Sequence, residues 1–234
     1  MVLTLRGQKY RYECENLCRL FFPYSPVKVD QEEPPRQGEP WALVCIEERE
    51  GEYVYRVEAG DGDRSLAREE TRDRLEEYGI TDLLYRALSE LTGYTPAWGM
   101  LTGIHPVKLL RQYAEELGEE AGAEKFRAHC HVSRGKTDLA LATLRGQQAA
   151  VEDLGENDFA LYVSIPFCPT RCAYCSFVSQ DMEHARKLMD PYFQLLLEEI
   201  GKTGQVAKVL GLSLRSVYIG GGTPTTLTAQ QLFT

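Results

Sequence analysis

Three cysteines lie within eight consecutive residues of "CPTRCAYCSF": Cys168, Cys172 and Cys175, spaced C-x3-C-x2-C directly behind the apolar run "FALYVSIPF". Thiolates on so short a loop can grip a metal centre without help from distant segments. A closed structural zinc site takes four ligands, and the common fingers pair one C-x2-C with a second, distant pair. No second pair follows here; His184 would be a fourth ligand, but it lies beyond a predicted helix start. Iron-sulfur clusters are held by cysteine thiolates, normally four for a 4Fe-4S cubane, so three thiols leave one iron open to a small molecule. Three thiols with no metal complete the readings that the spacing allows.

A second chemical signature stands one strand later. "VYIGGGTPT" places Gly220, Gly221, Gly222, Thr223, Pro224 and Thr225 at the end of an apolar strand, and in parallel α/β sheets ligands bind at the carboxyl ends of strands. The cysteine loop leaves the carboxyl end of the neighbouring strand, so both features are expected at one mouth. Glycines let backbone groups approach a ligand closely because no Cβ intervenes. The pattern is not G-x-G-x-x-G, since Thr225 stands in the last glycine's place, nor a P-loop, since no G-K-S/T follows. Alone, it reads as a bare tight turn as readily as a ligand cradle.

The elements that must position these loops begin after "GEND". "FALYVSIPF" is apolar on both faces, as a strand buried in a parallel sheet is. A helix is predicted at "DPYFQLLLEEIG", with Asp190 as cap and Pro191 at its first turn, then a second buried strand "RSVYIGG" and a helix start at "TAQQLF" capped by Thr228. This is one β-α-β unit and the start of the next helix. Residues 156–234 therefore read as the opening of a parallel α/β fold. A lone unit leaves its strands without neighbours and cannot close a barrel. The expectation is that this chain is a fragment of a longer one, or that a partner completes it, and that apolar sheet surface is exposed.

Residues 1–155 have a different texture and read as an α+β domain. Strands are expected over "LTLRGQKYRYEC" and in the hairpin of "WALVCIEE" and "YVYRVEA" across "REGE"; "PYSPVKVDQEEPPRQGEP" reads as a loop. Helices are expected from Ser65 to Gly79, from a Thr81 cap to Gly93, over "HPVKLLRQYAEELG" with Leu109, Leu110, Tyr113 and Leu117 on one face, and from about Thr137 to Leu154. The acidic run "AEELGEEAGAE" is read as a solvated face. In "HCH", His129, Cys130 and His131 point apart in either a helix or a strand, which argues against a joint metal site. Cys14 and Cys18, four apart, and Cys45 are read as core filler.

Composition bounds the classes. The 234 residues, 43% hydrophobic, suffice for one large or two medium domains. A net charge of -9 argues against a nucleic-acid partner, although a local basic patch is compatible with it. Seven cysteines, an odd number, argue against a disulfide framework. No run has the length of a membrane span and the N-terminus lacks a signal-peptide pattern, so a cytoplasmic location is expected.

Taken together, Cys168, Cys172 and Cys175 with Tyr174 in the last gap, followed by "GGGTP" after the next strand, resemble the radical S-adenosylmethionine (SAM) superfamily. "LYVSIPFC" and "YIGGGTPTTL" resemble its oxygen-independent coproporphyrinogen III oxidase group over about residues 159–234, and "WGMLTGIHPVKLL" resembles the coproporphyrinogen dehydrogenase branch. The resemblance implies a (β/α) barrel of which this chain holds the first β-α-β unit. It implies a 4Fe-4S cluster on the three cysteines, with SAM on the fourth iron, contacted by Tyr162, Tyr174, Gly221, Gly222 and Thr223. It also implies an electron donor and a radical oxidative decarboxylation of coproporphyrinogen III propionates, giving protoporphyrinogen IX. Arg171 is a candidate for tuning the cluster's potential. Two residues depart from oxidases of the group: Phe177 stands where they carry a further cysteine, and Ser164 where they tend to carry histidine. Relatives acting as haem chaperones share such changes, so haem binding or delivery is the alternative. Catalytic and substrate-binding residues are not assigned.

Overall fold

Glu50 and Gly51 both take positive φ, 53° and 86°, the conformation of a two-residue type I′ turn whose twist suits a hairpin. They join β3 (Trp41–Arg49) to β4 (Glu52–Asp61) in antiparallel register, Arg49 opposite Glu52, as the "REGE" signal predicts. The computed structural model describes residues 1–30 and 38–234, which divide into two compact units, Met1–Ala150 and Val151–Thr234. Residues 31–37 of the expected "PYSPVKVDQEEPPRQGEP" loop lie outside the described residues.

The helix expected from Ser65 to Gly79 is not formed. Its first part is β5 (Arg64–Arg72), paired antiparallel with β4 across Gly62 and Asp63. Charged residues of good helix propensity are overruled because β4 offers a full ladder of backbone partners. Leu66, Arg68, Glu70 and Arg72 alternate on the half-buried face of this edge strand. β1 (Val2–Arg6) runs parallel to β3, and β2 (Lys28–Asp30) parallel to β1, giving the order β2-β1-β3-β4-β5.

The strand expected over residues 3–14 stops at Arg6. Gly7, at φ 63°, turns the chain where a Cβ would stand 2.1 Å from the Ile46 carbonyl oxygen, and α1 (Arg11–Phe21) follows. Its Cys14, Leu17, Cys18 and Phe21 form the buried stripe, so the two cysteines are core, as expected. α2 (Glu77–Thr92) begins before the Thr81 cap read from sequence and ends at Gly93, φ 68°. Ile80, Leu84 and Leu88 of α2 pack with Leu3, Val44 and Val57 of the sheet, each fully buried aliphatic contributing about 2 kcal/mol.

α3 (Pro106–Leu117) starts with its proline in the first turn and is followed by Gly118, as read from sequence, with Leu110 and Tyr113 buried but Leu117 exposed. The acidic run closes α3 and opens a further helix, α4 (Glu119–Cys130), which the sequence reading did not resolve. Gly122 explains its placement, because a Cβ there would lie 2.7 Å from the Tyr113 carbonyl. α5 (Arg134–Val151) begins and ends about three residues earlier than expected.

In the second unit, β6 (Asp158–Ile165) pairs parallel with β9 (Ser213–Gly221), and α6 (Met182–Val209) connects them. This is the β-α-β unit expected. The helix start at Asp190 is wrong: α6 is continuous from Met182, its cap is Asp181, and Pro191 lies inside it. Ala185, Met189 and Phe193 form one buried stripe across the proline, and that burial outweighs the backbone hydrogen bond Pro191 removes. α7 (Ala229–Phe233) has a capping box between Thr228 and Gln231. Much of β9 is bare: Val217 is 52% and Ile219 41% exposed.

Candidate cysteine and glycine loop site

Cys168 ends a two-residue strand, β7 (Phe167–Cys168), which pairs parallel with β8 (Gln180–Asp181), Cys168 opposite Asp181. This bridge and the Gln180 N–H donating to the Pro166 carbonyl at 2.8 Å close residues 169–179 into a loop. Asp181 also caps α6, accepting from the His184 N–H at 3.0 Å and lying 2.7 Å from the His184 Nδ1. The His184 backbone and ring hold the Asp181 carboxyl below its ordinary value. His184 is thereby committed to the cap and does not join the cysteines. Asp181 went unread because the helix start was expected at Asp190, nine residues downstream.

Within the loop Cys168 is buried, Cys175 half-buried and Cys172 exposed. The Cys175 N–H donates to the Cys172 carbonyl at 3.1 Å, so the last two thiols share one turn. Among the described residues, Asp181, Glu183 and His184 gather their ligand atoms within 4.8 Å; the three sulfurs do not. Tyr174 is exposed beside Cys172, which pushes its phenol up through a hydrogen bond and charge. Arg171, Ser164 and Phe177 are exposed.

The glycine turn lies against this loop. The Gly222 N–H donates to the Ile165 carbonyl and the Thr223 N–H to the Phe167 carbonyl, both at 2.8 Å. A Cβ on Gly222 would stand 2.8 Å from the Cys168 Sγ, and one on Gly221, at φ 99°, 2.7 Å from the Ser164 Oγ. Gly220 is closed in by Tyr162, whose ring stacks on Tyr218 at 5.4 Å. Tyr162, Cys168 and the Gly220–Thr223 turn therefore meet at the carboxyl ends of β6 and β9. Tyr174 and Cys172 sit on the outer part of the loop. The three thiols, with a glycine turn packed directly on the first of them, are a donor set that fits a thiolate-bound cluster.

In the first unit "HCH" diverges as expected. His129 stacks on Tyr78 at 3.7 Å, Cys130 is buried with its thiol pushed up to about 11 by burial, and His131 lies 2.6 Å from Asp82.

A β-α-β unit with a three-thiol loop and a glycine turn at its strand ends is the form that the sequence motifs resemble, and relatives bear this out. The chain is 34% identical over 161 residues, 65% of its length, to the oxygen-independent coproporphyrinogen-III oxidase-like protein HemZ of Bacillus subtilis. It is 42% identical over 71 residues to the heme chaperone HemW of Lactococcus lactis, and 32% over 72 residues to an anaerobilin synthase of Escherichia coli O157:H7. The chain is thus similar to members of the radical SAM family, the HemZ-like protein among them. It spans 31% of the HemZ-like relative and 17% of the HemW. No protein-family model matches the chain. A ribosomal subunit interface protein from Coxiella burnetii aligns over 40% of this chain and 97% of its own at 12% identity, with a TM-score of 0.26, too low to carry an argument.

Proposed function

We propose that Cys168, Cys172 and Cys175 hold a 4Fe-4S cluster and that SAM occupies its open iron, in a protein of haem-related radical chemistry. The observation that carries this reading is the glycine turn packed on Cys168, where a single added Cβ would meet the sulfur at 2.8 Å. Gly221, Gly222 and Thr223 would lie along the methionyl part of SAM, and Tyr162 and Tyr174 would flank it. Bound there, the reduced cluster and SAM supply a carbon radical that abstracts hydrogen. The chain's own residues seat the sulfurs, let the glycine turn pack on Cys168 and anchor the loop ends through Asp181. Arg171 would tune the cluster's potential from the loop surface.

The reaction proposed is oxidative decarboxylation of coproporphyrinogen III, with an electron donor for the cluster and an acceptor for the electron left when CO2 departs. Residues 1–155 and 156–234 would be its two domains, the second being the first β-α-β unit of a (β/α) barrel. The exposed apolar residues of β9 support further strands beside it. Free thiols and a cluster suit the cytoplasm. The 42% identity to a heme chaperone, together with Phe177 and Ser164, favours a second reading, a haem-delivering protein on the same scaffold.

Anaerobic reconstitution with iron and sulfide tests the site. A broad visible absorption that is lost in Cys172→Ala and kept in Cys14→Ala is expected; equal iron loss in both would overturn the ligand assignment. The full-length protein with SAM, reductant and coproporphyrinogen separates the two readings. Protoporphyrinogen supports the oxidase, whereas 5′-deoxyadenosine without it, together with stoichiometric haem binding, supports the chaperone.

A further inference from the structure

Against a chain charge of -9, one cleft of the first unit gathers four arginines, three of them paired with carboxylates. Its cavity of about 580 Å³ is lined by Arg68 from β5, Arg86 from α2, Arg127 from α4 and Arg134 from α5, with a single carboxylate, Glu124, among the lining residues. Arg68 pairs with Glu90, Arg127 with Glu124 at 3.1 Å, and Arg86 with Asp82 at 2.9 Å and with Glu70. Arg134 has no ion pair among the described residues.

The same cleft holds an unusual debt of hydrogen bonds. Three buried side-chain polar atoms of its lining are under-satisfied among the described residues: Arg68 Nε, Tyr85 Oη and Ser89 Oγ. The two hydroxyls face each other one helical turn apart and have no other partner. A ligand oxygen would complete these groups once the Arg68 arm turns from exposed Glu90. All three can donate.

One rim of the cleft is held in a set geometry. His131 takes φ 56° as the left-handed C-cap of α4. Its ring lies 2.6 Å from Asp82 and stacks on Tyr85 at 4.6 Å.

We infer that this cleft binds a small polyanion through its oxyanion groups, carboxylates or phosphates. Arg127 and Arg134 make the outer contacts, and Arg68, Tyr85 and Ser89 the donors beneath. The cleft lies wholly within the first unit and does not depend on the cluster, so it stands or falls separately from the reading above.

Calorimetric titration of the chain at low salt, with tricarballylate in one arm and pyrophosphate in the other, tests it. Saturable binding of at least one is expected, and which one binds more tightly assigns the source as carboxylate or phosphate. The Arg127→Ala/Arg134→Ala double variant should weaken it at least tenfold, and Arg49→Ala, at the β3–β4 turn, should leave it unchanged. Tyr85→Phe should weaken binding while leaving the ligand-free melting temperature little changed, because the hydroxyl removed has no partner but the Ser89 hydroxyl. Absence of binding in both arms would overturn the inference. So would equal weakening by Arg49→Ala, or a lowered ligand-free melting temperature in Tyr85→Phe with affinity intact.

Discussion

At Gly222 a side chain has nowhere to go: a Cβ would lie 2.7 Å from the Phe167 carbonyl oxygen and 2.8 Å from the Cys168 Sγ. Gly222→Ala should therefore push the turn off the cysteine strand and lower iron retention after anaerobic reconstitution. Gly204, inside α6, has nothing within 4 Å of its absent Cβ. Gly204→Ala should instead stabilise by about 1 kcal/mol, the helix-propensity difference, with iron retention unchanged. A thermal melt beside an iron assay separates the two glycines; similar behaviour of both variants would contradict the packing described.

At the scale of elements, the passage from β5 to α2 is pinned by one phenol. Tyr55 is fully buried, donates to the Arg74 carbonyl at 2.9 Å and accepts the Glu76 N–H at 2.8 Å. Tyr55→Phe should cost about 1–3 kcal/mol, since a backbone donor at the start of α2 loses its partner, and urea unfolding would read it. α2 is also tied to the end of α4 through Asp82. Burial raises that carboxyl, but the His131 hydrogen bond and the Arg86 guanidinium together bring it below its ordinary 3.8. A carboxyl depressed by folding stabilises fully above its unfolded value and loses that contribution as pH falls through the lower folded one. Stability should thus decline below about pH 3.8, and Asp82→Asn should flatten this part of the urea-midpoint profile while lowering the midpoint at pH 7. A parallel decline in wild type and variant would exclude Asp82 as its source.

For the whole molecule, the two-stranded sheet of the second unit is covered by α6 on a face built from Val163, Ile165, Met189 and Phe193, while Val217 and Ile219 of β9 stay open to solvent. Unpaired strand edges with apolar neighbours recruit other chains. The chain in isolation should self-associate with rising concentration, and Val217→Thr/Ile219→Thr should reduce this. A monodisperse, concentration-independent monomer by light scattering would count against it. Among the described residues no helix is long and apolar enough to cross a membrane.

Local signals were legible wherever a few neighbouring residues decide the outcome. The I′ turn at Glu50 and Gly51, the stop at Gly93, Pro106 in the first turn of α3, the Thr228 cap and the apolar β6 and β9 all follow from conformational preferences that need no distant partner. So did the candidate site, because three thiols and a glycine turn on successive strand ends are set by spacing and by the direction of parallel strands. What only the tertiary structure decided are outcomes that depend on long-range partners. Residues 65–72 became a strand because β4 lay ready to pair with them, Pro191 entered a continuous helix because the stripe on either side of it is buried, and residues 11–21 became α1 with its cysteine-bearing stripe in the core. The arginine cleft belongs to the same class: Arg68, Arg86, Arg127 and Arg134 come from four elements, and no pattern along the chain marks charges that meet only when a sheet edge and three helices pack.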